Sequence, residues 1–432
     1  MAYGSSALSD QCSFEPFWWS AAPLEAREAI EELPSSADVA IVGAGITGLV
    51  AALHLARGGR KVVVLDAGPP GHGASTRNAG YVGRTLKHGF GELIDAHGLD
   101  FARAIYGELM EAFRAVKATV SEEKIECHYR QQGRFLMATS PAMYEAMTRE
   151  FSLRERHLGE PFSAVSRAEQ AREIATRHYF GGVRIDDHAG LHPGLYHRGL
   201  LMAARKVGAT VIGHASVHRI AGEAGAFQVV TRRGRISARD AIFATNGYGD
   251  GAWPWLRRRV MPFDAYQTVS APLGEARVRD LMPADRTYID WNFNVDWMRR
   301  VPGEPTRIVF GGLTGSRDQD LPIMAERLRL RLFRIFPDLG DLRFDAIWTG
   351  KCGGTFDLYP HIGRHDGIHF AVGYCFAGVP MGTLFGIKLA RRILGASGGE
   401  SAFERPLPTM PFYWGNPWFV PAAIRWMGRH DR

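Results

Sequence analysis

Three glycines at the spacing G-x-G-x-x-G, Gly43, Gly45 and Gly48, suit the pyrophosphate of a dinucleotide. The first glycine allows a tight turn, and the second lets a phosphate approach the amides at a helix N-terminus. The third lets the helix pack closely on the strand before it. Asp66 follows 18 residues after Gly48, where a carboxylate accepts hydrogen bonds from a ribose. The glycines and the acid together predict a dinucleotide site.

The segment after Asp66 favours FAD over a nicotinamide cofactor. Residues 71–80 read GHGASTRNAG and offer hydroxyls, a guanidinium and backbone amides to a pyrophosphate and a ribityl chain. The alternative for this segment alone is a surface loop without a ligand. The candidate FAD-binding residues of this part of the chain are Gly43, Gly45, Ile46, Thr47, Gly48, Asp66, Ala67, Gly73, Ala74, Ser75, Arg77, Asn78 and Gly80.

A βαβ unit must position these residues. The apolar run 38–42 predicts a buried strand, 46–57 has helical spacing, and 61–65 predicts a second buried strand. Residues 90–177 mostly predict helices, and a last helix is expected over 383–394. Ordered structure is expected to begin at about residue 38, with the aromatic cluster of Phe14, Phe17, Trp18 and Trp19 pinning the preceding extension onto the body.

Over nearly its full length the chain resembles the D-amino-acid oxidase-like superfamily of FAD oxidoreductases. The nearest resemblance is to the branch of glycine and sarcosine oxidases and bacterial gamma-glutamylputrescine oxidases. Beyond the segments above, the shared motifs occur in the same order at residues 191–193, 243–248, 348–354, 357–363 and 373–382.

The resemblance implies an α/β (mixed α+β) fold. A doubly wound, Rossmann-like FAD-binding domain is expected, with an interleaved substrate domain built on a large antiparallel sheet. The implied division gives 37–89, 178–250 and 341–400 to the FAD-binding domain and 90–177 and 251–340 to the substrate domain. Residues 1–36 form an N-terminal extension and 401–432 a C-terminal tail.

The resemblance also assigns cofactor contacts in the second half of the chain. Val217 would touch the adenine, Thr245 and Asn246 would lie beside the dinucleotide, and residues 378–383 would cap the flavin. Amides near Gly382 and Thr383 would stabilise the negative charge of the reduced ring. The implied contacts are Val217, Thr245, Asn246, Gly354, Gly373, Gly378, Val379, Pro380, Met381, Gly382 and Thr383.

The chemistry that the resemblance implies is oxidation of a small amine by hydride transfer to flavin N5, followed by hydrolysis of the imine. The substrate-side candidates are Tyr266 and, on a strand resembling the one that faces the flavin, Arg299 and Arg300. Strand alternation places Arg299 with Trp297 on one face and Arg300 on the other. Either arginine is a candidate for a place near N5 or for an anionic substrate tail, and the alternative is an exposed pair at a strand end.

Departures from the family pattern bear on the substrate and on cofactor attachment. Pro380 stands near the place where sarcosine oxidases carry a carboxylate-binding lysine, which favours an extended, polyamine-like amine. Cys352 has the spacing of the cysteine that bonds covalently to flavin in monomeric sarcosine oxidases, but the match is one residue deep, so non-covalent FAD is expected. His192 and His361 are interpreted as structural.

Composition excludes several classes of protein. The net charge is +7, yet the densest basic runs, 257–259 and 232–233, are short and have no nucleic-acid motif, so nucleic acid is not an expected partner. The four cysteines form no CxxC pair, so neither a metal site nor a disulfide framework is expected. Reduced cysteines and the absence of a signal peptide or a transmembrane run predict a cytoplasmic protein. Homo-oligomer formation stays open.

Three functions remain open at this stage. The first is an amine oxidase that uses molecular oxygen. The second is a dehydrogenase with the same substrate that passes electrons to a quinone or a carrier protein. The third is an FAD-binding subunit with little activity alone. The aromatic and basic residues of 411–432 are expected to dock onto the body or a partner subunit, with a membrane surface as the alternative.

Overall fold

The computed structural model describes residues 6–26, 32–249, 251–315 and 320–430. Residues 1–5 and 27–31 of the predicted extension and residues 431–432 of the predicted tail lie outside the described residues. Two large β-sheets, of nine and eight strands, both contribute to the wall of one cavity.

The secondary structure alternates between strands of the two sheets and helices. The strands are β1 (Leu8–Ser13), β2 (Ser36–Val42), β3 (Val62–Leu65), β4 (Tyr81–Val82), β5 (Arg134–Met137), β6 (Ser163–Val165), β7 (Gly182–Ile185), β8 (Ala189–Gly190), β9 (Thr210–Ile212), β10 (Val217–Ala221), β11 (Phe227–Thr231), β12 (Gly234–Phe243), β13 (Met261–Ser270), β14 (Thr287–Asp290), β15 (Trp297–Val301), β16 (Glu304–Gly312), β17 (Phe344–Gly354), β18 (His361–His365) and β19 (Ile368–Val372). The helices are α1 (Ile46–Arg57), α2 (Phe90–His97), α3 (Leu99–Glu122), α4 (Pro141–Leu158), α5 (Pro193–Lys206), α6 (Pro254–Arg257), α7 (Glu275–Leu281), α8 (Leu321–Ile335), α9 (Gly378–Leu394) and α10 (Val420–Met427).

The eight-stranded sheet carries the glycine motif and confirms the predicted βαβ unit. Its order is β10-β11-β12-β2-β3-β9, with β19 paired to β12 and β18 paired to β19. The pairings of β2 with β3 and with β12 are parallel. Val39 and Ile41 of β2 pack into the core on one face, whereas Ala40 and Val42 pack on the other. A strand buried on both faces needs a continuous apolar run, which is why the sequence pattern identified β2.

Helices α1, α3, α5 and α9 share the core on one face of this sheet. A buried ion pair lies between two of these helices, where Lys388 Nζ of α9 is 2.9 Å from Glu108 Oε1 of α3. Glu108 also accepts hydrogen bonds from the Ser401 hydroxyl at 2.6 Å and the Ala402 amide at 2.7 Å. The pair therefore fixes α3, α9 and the start of the C-terminal segment together.

The nine-stranded sheet has the order β1-β17-β13-β16-β15-β14-β5-β7-β6. Most neighbours are antiparallel, as expected, but β1 pairs with β17 and β5 pairs with β14 in parallel. One face of this sheet packs on α7 and α8 around a second apolar core. The other face meets the cavity.

The N-terminal segment is part of the body, which differs from the expectation that order begins near residue 38. Strand β1 joins the nine-stranded sheet, and Trp18 is fully buried against Trp348 and Val269. The predicted pinning by aromatic residues holds for Trp18, whereas Phe14 is exposed. Burial of the Trp18 indole stabilises the attachment of this segment, although its sequence is otherwise polar.

Strand pairing also crosses the implied domain division. Strands β7 and β17 lie in the nine-stranded sheet, although residues 178–250 and 341–400 were expected to belong to the FAD-binding domain. Helix α3, expected in the substrate domain, packs on α9 in the core of the other layer. Helical or strand periodicity identifies the buried face of an element but not the layer against which that face packs. The domain boundaries therefore remain a proposal.

None of the described helices is both long enough and apolar enough to span a bilayer.

Replacing Lys388 with Met should lower the free energy of unfolding by about 3–5 kcal/mol, because Glu108 is left charged and buried without its cation. Urea denaturation followed by circular dichroism measures the change. Arg149→Ala is the matched control, because its ion pair with Glu145 is solvent-exposed at 3.8 Å, and it should have no measurable effect. Equal stability of the Lys388 variant and the control would show that the buried pair does not stabilise the helix packing.

Candidate active site

One cavity, of about 300 Å³, collects most of the predicted cofactor residues. They come from three separate stretches of the chain that the fold brings together. The predicted residues in the cavity wall are Gly43, Gly45, Ile46, Thr47, Asp66, Ala67, Gly73, Ala74, Ser75, Arg77, Asn78, Val217, Thr245, Asn246, Gly378, Val379 and Pro380. Cys352 also lines the cavity.

The glycine motif has no room for side chains. Gly43 has a φ of +106°, and a Cβ there would lie 2.9 Å from the Ala244 carbonyl oxygen. A Cβ on Gly48 would lie 1.9 Å from the carbonyl oxygen of Gly43, as the predicted close helix–strand packing requires. A Cβ on Gly45 would lie 2.7 Å from Ser75 Oγ. The Ile46 amide at the start of α1 donates to Ser75 Oγ at 3.0 Å. Because the glycines carry no side chains, a phosphate can approach the other backbone amides of this turn.

Asp66 is held in place at the end of β3. Its Oδ2 accepts a hydrogen bond from the Ala44 amide at 2.7 Å, and its Oδ1 accepts one from the Gly68 amide at 3.1 Å. His72 Nδ1 lies 3.2 Å from the same carboxylate, and this hydrogen bond raises the pKa of His72. The carboxylate is thus fixed in the cavity wall where a ribose would meet it.

Arg77 and Asn78 line the cavity, and their side chains form hydrogen bonds with the loop and, for Arg77, with β17. Arg77 donates from Nε to the His72 carbonyl at 2.7 Å and from Nη1 to the Thr349 carbonyl at 2.9 Å. Asn78 accepts the Gly80 amide at 2.8 Å through its side-chain oxygen. The sequence predicted direct ligand contacts for these groups, whereas the structure uses them to shape the backbone that would face the ligand.

Two buried tryptophans hold the same loop from outside. Trp18 Nε1 donates to the Asn78 carbonyl at 2.9 Å, and Trp348 Nε1 donates to the Arg77 carbonyl at 2.9 Å. Trp18 comes from the N-terminal segment and Trp348 from β17 of the nine-stranded sheet. The loop is therefore clamped between the two layers, and a clamped loop gives the cavity a fixed shape.

The prediction that Arg299 and Arg300 act on the substrate side needs correction, because neither lines the cavity. Arg299 is buried and donates from Nη1 to the carbonyl oxygens of Ala79, Gly80 and Leu191 at 3.1, 3.2 and 3.1 Å. Arg300, on the opposite face of β15, donates from Nη2 to the Met282 carbonyl at 2.6 Å. Both guanidiniums serve backbone acceptors, so their role is structural.

Tyr266 is the third substrate-side residue that the structure moves away from the cavity. Its side chain is fully buried in the core behind the nine-stranded sheet. Its neighbours in β13, Ala265 and Gln267, line the cavity instead. Because side chains alternate along a strand, a residue between two cavity-facing residues points to the other face.

Several implied cofactor residues lie behind the cavity wall: Gly48, Gly80, Gly354, Gly373, Met381, Gly382 and Thr383. Helix α9 begins at Gly378, so Gly382 and Thr383 belong to its second turn. Thr383 Oγ1 donates to the Val379 carbonyl at 2.8 Å and lies 2.9 Å from the Tyr196 hydroxyl. The free amides that face the cavity are therefore those of the first turn, near Gly378 and Val379.

Several residues that line the cavity from the nine-stranded sheet and nearby loops were not among the predicted site residues: Tyr81, Thr85, Arg134, Tyr248, Gln267, Ile289, Trp297, Lys351 and Phe376. Tyr248, Lys351 and Phe376 lie within motifs shared with the family, and strand alternation placed Trp297 with Arg299, but no pattern singled out the others. They come from separate strands and loops, and no local spacing links them. An arginine opening the otherwise apolar run of β5 was the one usable signal.

Phe376 sits on a strained turn at the cavity. Cys375 and Phe376 have φ angles of +40° and +75°, a region that non-glycine residues rarely occupy. The ring of Phe376 packs 6.1 Å from Trp297 between centroids. Backbone strain of this kind concentrates at ligand sites, where packing holds a residue in an unfavourable conformation.

The cavity wall contains polar atoms that lack partners among the described residues. Thr245 Oγ1 and Gln267 Nε2 are both buried without a hydrogen bond, although Gln267 Oε1 accepts the Trp297 indole N–H at 3.0 Å. A buried polar group without a partner costs about 1–3 kcal/mol, so a ligand that supplies partners is favoured. These atoms, the glycine turn before α1 and Asp66 together fit a bound FAD.

His192 and His361, the two histidines interpreted as structural, contact groups of the protein itself. His192 accepts the Leu195 amide at 3.2 Å at the start of α5, and burial lowers its pKa to about 4. His361 Nε2 lies 3.0 Å from Asp357 Oδ1. Neither histidine lines the cavity.

Gly45→Ala should weaken FAD binding at least about tenfold, because the added methyl meets Ser75 Oγ at the phosphate-facing end of α1. The ratio of absorbance near 450 nm to that at 280 nm in the purified protein measures occupancy. Gly107→Ala is the matched control, since a Cβ at this exposed helical site meets nothing within 4 Å. Full occupancy in both variants would contradict the assignment of the phosphate site.

Acid precipitation should release all of the flavin into the supernatant. Burial raises the pKa of the Cys352 thiol to about 12, so almost no nucleophilic thiolate exists at neutral pH. Absorbance of the supernatant and of the redissolved pellet measures the partition, with Cys352→Ser as the control. Yellow colour that stays in the wild-type pellet and disappears with Cys352→Ser would demonstrate a covalent link.

Comparison with known proteins agrees with this geometry. A family model described as "DAO: FAD dependent oxidoreductase" matches residues 38–392. The chain is 32% identical over 391 residues to gamma-glutamylputrescine oxidoreductase of Escherichia coli (strain K12), covering 89% of each protein. It is 26% identical over 385 residues to glycine oxidase of Bacillus licheniformis, covering 83% of this chain and 93% of the relative.

Solved structures share the fold. The crystal structure of glycine oxidase from Geobacillus kaustophilus superposes with a TM-score of 0.71 at 20% identity, covering 87% of this chain and 99% of that one. L-proline dehydrogenase from P. horikoshii gives a TM-score of 0.71 at 17% identity, covering 90% and 99%. The family match covers both sheets except β1 and the first two residues of β2, and it covers every segment of the cavity wall that carries a predicted FAD contact. The chain belongs to the DAO family of FAD-dependent oxidoreductases.

Proposed function

We propose that this protein oxidises a small primary or secondary amine, amino-acid-derived or polyamine-like, to an imine, with molecular oxygen as the electron acceptor. The observation that carries the proposal is the part of the cavity walled by the nine-stranded sheet. Beyond the dinucleotide residues, this compartment is lined by Ile289, Trp297 and Phe376, together with a few polar groups. A compartment of this kind fits a small, partly apolar substrate held against the cofactor.

The named relatives support this substrate class. The Escherichia coli protein is named for a putrescine derivative and the Bacillus licheniformis protein for glycine. A further structural neighbour is an iminodiacetate oxidase, which shares the fold at 20% identity. Each of these names refers to a compound with an amine nitrogen, and we extend that class to this chain.

Bound FAD would supply a two-electron oxidant able to accept a hydride from the carbon next to the amine nitrogen, and water would hydrolyse the resulting imine. The chain's own residues keep water away from this carbon through the apolar walls and orient the amine. Among the described residues that line the cavity, Asp66 is the single carboxylate, and it lies at the dinucleotide end. No carboxylate therefore holds the amine as ammonium in the substrate compartment, which favours the neutral, oxidisable form.

A dehydrogenase is the second candidate, because the C-terminal tail exposes several aromatic rings. Phe412, Trp414, Trp418 and Trp426 are all more than half exposed. The predicted docking of this tail onto the body holds for Tyr413, which is buried and donates its hydroxyl to the Val260 carbonyl at 2.7 Å. The exposed rings form a surface on which an electron carrier can dock. A cytoplasmic location stays a prediction, and homo-oligomer formation stays open.

Anaerobic titration of the FAD-loaded protein with a panel of amines and amino acids should bleach the flavin band near 450 nm for one class of amine. Admission of air should then restore the band within seconds if oxygen is the acceptor, with stoichiometric peroxide. Slow recovery in air with fast recovery by a quinone would favour the dehydrogenase instead. Full FAD occupancy without bleaching by any compound of the panel would reject amine oxidation and favour a flavin-binding subunit.

A further inference from the structure

Arg134 brings a buried positive charge to the cavity wall. It is the first residue of β5, is 3% exposed and lines the cavity. Its Nη1 donates to Thr85 Oγ1 at 3.0 Å and its Nε donates to Thr287 Oγ1 at 3.3 Å. Both acceptors are neutral hydroxyls. Within the described part of the chain, no carboxylate forms an ion pair with this guanidinium.

The neighbouring acids are already engaged by other arginines. Glu160 lies 2.8 Å from Arg84 Nε and 2.6 Å from Arg154 Nη2. Asp187 lies 2.7 Å from Arg84 Nη1. Arg134 is therefore left as a buried cation that faces the cavity without an acid, whereas Lys351, which also lines the cavity, is exposed to solvent.

The charge on Arg134 persists at neutral pH. Burial, with smaller contributions from the nearby cations Arg84 and Arg299, lowers its pKa to about 10, which still leaves the side chain protonated. Burying a charge without a counter-ion is costly, and proteins accept that cost chiefly where a ligand supplies the opposite charge.

The sheet fixes the direction of this guanidinium. Arg134 pairs with Thr287 of β14 on one side and with Ile185 of β7 on the other. Its guanidinium carbon also lies 5.2 Å from the centroid of the Tyr81 ring, within the range of a cation–π contact. A rigidly held arginine presents a planar fork that matches the two oxygens of a carboxylate.

We propose that Arg134 binds the carboxylate of the amine substrate, so that the preferred substrate is an amine that also carries a carboxylate. This inference rests on the proposed function and adds the anionic group that the substrate must present. The pyrophosphate of FAD does not account for the unpaired charge of Arg134. Its predicted site is at the start of α1, next to the eight-stranded sheet, whereas Arg134 belongs to the nine-stranded sheet. Pro380 offers no cation, so Arg134 supplies the carboxylate site from a different wall of the cavity.

The first test measures binding without turnover. Benzoate, a carboxylate without an oxidisable amine, is titrated into the FAD-loaded wild type, Arg134→Met, Arg134→Lys and Arg300→Met while the flavin spectrum is recorded. We expect Arg134→Met to weaken benzoate about ten- to a hundredfold, Arg134→Lys to weaken it less, and neutral benzamide to be unaffected by either change. Arg300→Met is the matched control, because its guanidinium belongs to the same sheet but not to the cavity wall, and it should bind like the wild type.

The second test compares turnover of paired amines that differ in one carboxylate, such as 4-aminobutyrate and butylamine. Arg134→Met should lower the ratio of kcat/KM for the acid to kcat/KM for the amine at least about tenfold, mainly through KM. It should retain full FAD occupancy and unfold at the same urea concentration as the wild type or a higher one, because it removes an uncompensated charge.

The outcomes separate this inference from the proposed function. The inference would be overturned if Arg134→Met and the wild type showed the same ratio of kcat/KM for the acid to kcat/KM for the amine. Amine oxidation would still stand in that case, because the amines bleach the flavin. Benzoate affinity unchanged by Arg134→Met would also overturn it. Loss of FAD from Arg134→Met and Arg134→Lys alike, with benzoate affinity unchanged in the fraction that keeps FAD, would show that the charge serves the cofactor. Benzoate binding that depends on Arg134 while no amine bleaches the flavin would support the anion site and reject amine oxidation.

Discussion

The structure depends on hydrogen bonds that hold the loop of residues 72–80 between two β-sheets. The indole of Trp348 and the guanidinium of Arg299, both from the nine-stranded sheet, donate to carbonyl oxygens of this loop. Arg77 returns a hydrogen bond from the loop to the Thr349 carbonyl. Trp348 and Arg299 are buried, so breaking one of their contacts leaves a carbonyl oxygen without a partner and costs more than the bond itself contributes. The two layers are therefore tied together at the place where the cofactor and the substrate must meet.

This arrangement divides the cavity wall by chemistry. The eight-stranded sheet and the start of α1 offer backbone amides and Asp66, which suit phosphate and ribose. The nine-stranded sheet offers apolar side chains together with Gln267 and Arg134. Since the flavin carries out the redox step, the protein needs few reactive side chains. It contributes the shape of the cavity, apolar walls and the buried charge of Arg134 instead.

The cavity brings together most of the predicted cofactor residues whose local spacing suggested a dinucleotide site. The turn at Gly43, the start of α1 and the acid at the end of β3 follow from the order of residues along one βαβ unit, so no long-range contact was needed to identify them. The prediction of the substrate side failed for Arg299 and Tyr266. Their residue types suited the chemistry, but neither type nor spacing reveals whether a side chain faces the cavity or serves another acceptor.

Arg134 shows the opposite case. One arginine in an apolar run is a weak signal by itself, because an ion pair within the protein explains it equally well. What distinguishes it is that Glu160 and Asp187 pair with other arginines, which is a property of packing. The sequence by itself determined the family and the flavin cofactor and predicted the phosphate-binding end of the cavity, because those depend on residues that are close along the chain. Only the tertiary structure decided which face of each strand lines the cavity and which buried charge lacks a partner, because both depend on contacts between segments up to hundreds of residues apart.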